Sequence, residues 1–389
     1  MAKRDGQGIK REKSEAMKQT EERNSARSRI ENQIKELRHR LHICPEISGQ
    51  ERKTKAALKQ FLEESTNLEL YDCGGGFYAA YRSSMPEQAK KGVAFRADYD
   101  ALALPEGGAA HLCGHDGHAS ALCGAALLLE QQIKEGQEPG RNVFFLFQPA
   151  EETGAGAAPC CELFEKEEIE EIYGAHNLPG FAFGEVYTKE GTFACGSEGL
   201  TLRFLGKPTH AAYPELGVSP APAVGQLLTG IPSFLNKKEH GYSGMVLCTV
   251  IGVQMGEKAF GAAAEKAEVW LTLRAERGAD LKKLRQMVLT RAEELAAQDG
   301  LILETEEQDV FPATENDSAC AKKVLKVCGG RILPEPMRWS EDFGHYLNHC
   351  RGAFFGIGAG VEHPGLHTAA YEYPDRLLMR TAESFLKLI

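Results

Sequence analysis

The chain has 389 residues, a formal net charge of −10, 42% apolar residues and 26% charged residues. At roughly 100–200 residues per domain, that length implies two or three domains with a sizeable core, and the acidic balance argues against nucleic acid as a partner. No stretch reaches the roughly 18 apolar residues of a membrane helix, the N-terminus carries no apolar signal core, and eleven scattered cysteines without a CxxC point to reduced thiols in a cytoplasmic protein.

Residues 1–27 read as a polar, solvated helical extension with a basic bias partly offset by Glu12, Glu15, Glu21 and Glu22. A helix is expected over 28–41, where Ile30, Ile34, Leu37 and Leu41 share a face, and it ends at Cys44-Pro45. A second amphipathic helix follows over 53–62. Short strands are expected at 68–71, 77–81 and 92–96, then an Ala- and Leu-rich helix over 114–130. The run Asn142-Val143-Phe144-Phe145-Leu146-Phe147 has the length and continuous apolarity of a buried central strand. A further strand is expected at 169–173. The alternation indicates an α/β sandwich.

The pattern changes near Cys195. Strand 199–205, helix 221–235, strands 244–254 and 267–274, helix 281–298 and strand 301–308 follow in the β-α-β-β-α-β order of a ferredoxin-like unit. After Phe311-Pro312 the α/β character resumes, with helices at 318–327 and near 341–347, a strand at 353–357 and a final helix at 375–388. The simplest architecture is a discontinuous α/β domain interrupted by an α+β insert.

Four segments gather groups that bind metals. His111-Leu112-Cys113-Gly114-His115-Asp116-Gly117-His118 places three imidazoles, a thiol and a carboxyl within eight residues before a helix. These are ligands for borderline divalent ions such as Zn, Mn or Co, and glycines at 114 and 117 let the backbone bend. Spacing alone does not say which side chains ligate. Gln148-Pro149-Ala150-Glu151-Glu152 follows the buried strand, where open α/β sheets bind ligands. Adjacent carboxylates in extended chain point opposite ways, so one can hold a metal while the other handles a water proton. Gly174-Ala175-His176 and Gly365-Leu366-His367 each offer a lone histidine, with His363 a competitor for His367. A fifth element in the insert, Lys207-Pro208-Thr209-His210, carries a histidine at the tip of a turn.

Together with Arg38-His39-Arg40-Leu41-His42, Phe95-Arg96-Ala97-Asp98-Tyr99-Asp100 and Ser340-Glu341-Asp342-Phe343, these motifs resemble the M20 peptidase superfamily over nearly the whole chain after about residue 28, in its aminoacylase, hippurate hydrolase and auxin-conjugate hydrolase branch. The resemblance implies a phosphorylase/hydrolase-like α/β catalytic domain formed by 28–196 and 309–389, with a ferredoxin-like dimerisation or lid domain at 197–308. It implies two divalent metal ions (Mn, Zn or Co) held by Cys113, His115, Glu152, His176 and His367, with Cys113 shared. Glu151 would be the general base and acid, and His210 would polarise the scissile carbonyl from the partner subunit of a homodimer. Asp98 would support the metal site from behind. The implied reaction is hydrolysis of an N-acyl amino acid or related small amide. A dipeptidase, an aminobenzoyl-glutamate hydrolase and an acetyl-diaminopimelate deacetylase are alternatives on the same scaffold. The family's Asn-Val-Ile-Pro stretch is missing: Phe260-Gly261-Ala262-Ala263-Ala264 stands there, so carboxylate recognition is expected to differ. A rival of another class is an amidase with Cys113 as nucleophile, activated by His115 or His111.

Overall fold

A computed structural model describes the backbone of residues 5–84 and 91–389 and the side chains of residues 23–84 and 91–389. Its larger sheet has eight strands. The four central ones, Val143–Gln148, Gly92–Asp98, Ile169–Pro179 and Arg351–Gly360, run parallel. The hairpin Glu69–Cys73 and Gly76–Tyr81 adds one antiparallel edge. Val186–Thr188 and Arg331–Ile332 complete the other. Helices Arg52–Ser65, His115–Lys134 and Arg376–Leu386 bury Leu58, Leu122, Leu377 and Phe385 in one apolar core with the sheet residues Phe95, Phe145 and Phe355.

The first helix runs over Asp5–His42, so the helical extension expected before residue 28 and the helix expected over 28–41 are one continuous element. Apolar periodicity begins at Ile30, but the preceding residues are mostly Lys, Glu, Gln, Arg and Ala, which extend a helix without needing a core. The expected helix near 341–347 is a tighter 3-10 helix, Asp342–Asn348. Its first residue is pinned by buried contacts to Gln148 and to the Ala157 amide. The strand expected at 169–173 extends to Pro179, so His176 lies inside a strand and not beyond its end. Pairing with the strand Arg351–Gly360 continues across it, Gly356 opposite His176.

The second sheet has the order Val246–Met255, Lys266–Ala275, Gly196–Leu205, Ile302–Phe311, all antiparallel. Helices Ala221–Phe234 and Gly278–Asp299 cover one face and form a separate apolar cluster with it, including Leu202, Leu227, Leu271 and Leu284. Connection order and strand order are those of a ferredoxin-like unit. Among the described residues no helix is long and apolar enough to cross a membrane.

Candidate metal centre

The parallel strands deliver chemistry at their carboxyl ends, as open α/β sheets do. Asp98 closes one strand, and Glu151 and Glu152 follow another after Pro149. Cys113 and His115 sit at the N-terminus of the helix His115–Lys134. Gly114 there has φ +97°, and an added Cβ would lie 2.4 Å from the Tyr371 hydroxyl and 2.6 Å from Asn177 Oδ1. Gly117 is different: it lies in the helix, and the Tyr373 ring occupies the space of a Cβ at 2.3 Å. So only the first of the two glycines is needed for a bend; the second is needed for close packing. His367 reaches the cluster from the loop after Arg351–Gly360, and its amide donates to the Leu112 carbonyl at 2.8 Å. Two non-glycine residues carry positive φ here, Ala150 at 51° and His367 at 61°. Such strain persists only where surrounding contacts over-determine it; Ala150 is held by its amide donating to Glu51 at 2.8 Å.

Cys113, His115 and His176 have donor atoms mutually within 4.8 Å, and so do Cys113, Glu152 and His367. Cys113 belongs to both groups. Its Sγ lies 3.5 Å from His176 Nε2, and His367 Nε2 lies 3.6 Å from Glu152 Oε2. The three His-Cys donors are buried, while His367 is half exposed at the rim. His210 is not brought in: it is exposed on the short strand Thr209–His210, and its Nδ1 accepts from the Ala212 amide at 3.0 Å.

The histidines of the first motif separate cleanly. His115 Nδ1 is fixed by Asp100 at 2.9 Å, which leaves Nε2 for the cluster. His176 Nδ1 donates to the Asn177 carbonyl at 2.8 Å with the same effect. His118 is held at both ring nitrogens, by Asp98 at 2.7 Å and by Asn177 at 2.6 Å. His111 is buried against His42. Asp98 is shared between His118 and Arg96, and its carboxylate also lies 3.9 Å from His115 Nε2.

Fit to a cation is readable from two orphaned atoms. His115 Nε2 and Glu152 Oε1 are buried without any hydrogen-bond partner and face each other at 3.7 Å. A divalent ion satisfies both. Electrostatics agree. Burial, then the charges of Glu341, Asp342 and Glu152, hold the Glu151 carboxyl well above its usual range. Burial, opposed by His115 and reinforced by Asp100, pushes Glu152 up to about 7. Burial and then Glu152 push the Cys113 thiol well up in the absence of an ion; ligation, like nucleophilic attack, requires its thiolate.

Ligation requires the Glu152 carboxylate and the Cys113 thiolate, so cation affinity should weaken as pH falls, by about tenfold per pH unit for the thiol alone and more steeply below about 7 where Glu152 also takes up a proton, with protons released on binding. Calorimetry in buffers of different ionisation enthalpy measures that release. In the metal-free protein the raised carboxyl contributes stability that is lost as pH rises from the ordinary 4.5 to about 7.

Several residues in these roles escaped the sequence reading. Asp100 accepts from Ser48 at 2.7 Å and from the Glu152 amide at 3.0 Å while holding His115. Arg96 is buried and bonds Asp98 and Asp342 at 2.7 Å and Glu341 at 2.9 Å. Period-two spacing of Arg96 and Asp98 on one face of a strand was the available signal. Arg274, from the second sheet, donates to the Arg338 carbonyl and to Ser340 Oγ in the pocket wall. Nothing in its local sequence marked it.

Fold and cluster together define a hydrolase with a metal-binding centre. The chain belongs to peptidase family M20/M25/M40, whose profile matches residues 94–389, and so to a family of amidohydrolases. It is 29% identical over 358 residues to an N-acetyl-L-cysteine deacetylase of Bacillus subtilis, covering 88% of this chain and 84% of that protein. It is 27% identical over 382 residues to a hippurate hydrolase of Campylobacter jejuni, covering 92% and 96%. Among solved structures it resembles a dinuclear metal binding peptidase from the M20 family of Bacillus subtilis, with a TM-score of 0.74, 25% identity and coverage of 94% and 98%.

Proposed function

We propose that the protein hydrolyses the amide bond of N-acyl amino acids with a centre of two divalent ions. The observation that carries this reading is the pair of overlapping three-donor groups sharing Cys113, with Glu151 beside them and outside both. Cys113, His115, Glu152, His176 and His367 would hold the ions. When bound, such ions supply Lewis acidity and bring a water's pKa toward neutrality. Glu151, buried beside the donor groups, would accept a proton from the attacking water and return it to the departing amine. His115 Nε2 lies 3.9 Å from Glu151 Oε2. The test is hydrolysis of N-acetyl and N-benzoyl amino acids that a chelator abolishes and added Mn, Zn or Co restores. Turnover indifferent to chelation, or blocked by thiol alkylation alone, favours the cysteine mechanism instead.

The reading includes a homodimer through the 197–308 unit, with His210 of one copy serving the other's centre. The strand Val246–Met255 is at a sheet edge and exposes Val250, Ile251, Val253 and Met255. An apolar open edge is a ready template for a second strand. Mixing Glu151→Gln with His210→Ala protein distinguishes the arrangements. If His210 acts across the interface, hybrids contain one complete centre and the mixture recovers roughly a quarter of wild-type activity, by random pairing of two chains with two sites each. If it acts within its own chain, the mixture stays inactive.

A further inference from the structure

The pocket at the centre has a wall that no metal role uses. Its volume is about 290 Å³, and its lining joins Glu151, Glu341 and His367 to Trp339 and Leu366. The Trp339 indole stands 5.2 Å from the His176 ring and rests edge-on against Phe193 at 6.1 Å. It is firmly held. On one side the Met337 amide donates to Phe193 at 2.7 Å, and the Cys195 amide donates to Met337 at 3.0 Å. On the other, Arg274 grips both the Arg338 carbonyl and Ser340. A partly exposed tryptophan in fixed backbone beside the reacting centre is a preorganised flat surface.

We propose that Trp339 is the specificity-determining residue of an acyl subsite that selects aromatic acyl groups. This rests on the hydrolysis proposed above. An acylated amino acid has a charged end and an uncharged acyl end. The carboxylate is disfavoured against an apolar wall, so the acyl group takes the Trp339–Leu366 side. A planar ring gains offset stacking on indole that a methyl group cannot. The volume of about 290 Å³ lies just under the ~300–1,000 Å³ of small-molecule sites.

The test compares N-benzoyl and N-acetyl derivatives of one amino acid in the metal-loaded enzyme. Wild-type kcat/KM should favour benzoyl by at least about tenfold; Trp339→Phe should keep most of that ratio, and Trp339→Ala should bring it to about one. A second readout needs no turnover. Trp339 and Trp270 are the only tryptophans, so Trp270→Phe leaves Trp339 as the sole reporter, and benzoate but not acetate should alter its emission. A benzoyl/acetyl ratio unchanged by Trp339→Ala, or emission indifferent to benzoate, overturns the subsite while leaving the hydrolysis intact. If neither amide is cleaved, the hydrolysis itself fails, and the emission titration still decides the subsite.

Discussion

Glu151→Gln should retain its full complement of metal and lose turnover by about 10²–10⁴-fold, the usual contribution of a positioned acid–base group. The amide is nearly isosteric with the carboxyl but cannot accept a proton. Glu151 groups with His115 and Glu152 but belongs to neither of the two donor groups that share Cys113; because it acts as the proton acceptor and not as a ligand, its replacement is expected to leave metal content intact. Its position is set by the strained Ala150 on one side and by Glu341 and Asp342 on the other. Elemental analysis alongside a kcat measurement checks both halves of the expectation. A variant that keeps more than about a tenth of the rate removes Glu151 from the acid–base role, because a positioned acid–base group contributes at least about 10²-fold.

Arg96→Met should cost about 3–5 kcal/mol of stability, the usual penalty for breaking a buried ion pair by removing one partner. Its guanidinium is the cation that Asp98, Glu341 and Asp342 share in a buried site, and it also bonds Gln148 at 2.7 Å. Methionine fills much of the same space and leaves the three acids without their shared guanidinium, Asp98 keeping His118 and Asp342 keeping Gln148 and the Ala157 amide. The same loss frees Asp98, and through it His118 and Asn177, so metal affinity should fall as well. Arg96→Lys keeps the charge but not the planar fork, and should lie between the two. Denaturant unfolding checks the magnitude; a change under about 1 kcal/mol contradicts it, being no larger than an ordinary surface pair.

Much of this was visible in the chain before any coordinates. The central strand Val143–Gln148 announces itself because a strand buried on both faces is continuously apolar. The second sheet is legible from the order of its elements and from the alternating strand Lys266–Ala275, while Val246–Met255 and Ile302–Phe311 show no such alternation. The metal-type residues were found as clusters, but their division of labour was not. His111, His115 and His118 look alike in sequence, and what separates them is the partner of each ring nitrogen: nothing for His111, Asp100 for His115, Asp98 and Asn177 for His118. Those partners lie up to 59 residues away. The strand Ile169–Pro179 runs past its expected end at residue 173 because pairing with Arg351–Gly360 holds the chain extended as far as Pro179. Arg96 and Trp339 gained their meaning only from residues brought close by the fold.

The most direct measurement is an anomalous-difference map from crystals of the manganese-loaded protein. Two peaks per chain are expected, with Cys113 near both and His115, Glu152, His176 and His367 completing their surroundings, and with Glu151 outside the ligand set. A single peak, or peaks centred on Asp98 and His118 instead, contradicts the account of how these side chains divide their work.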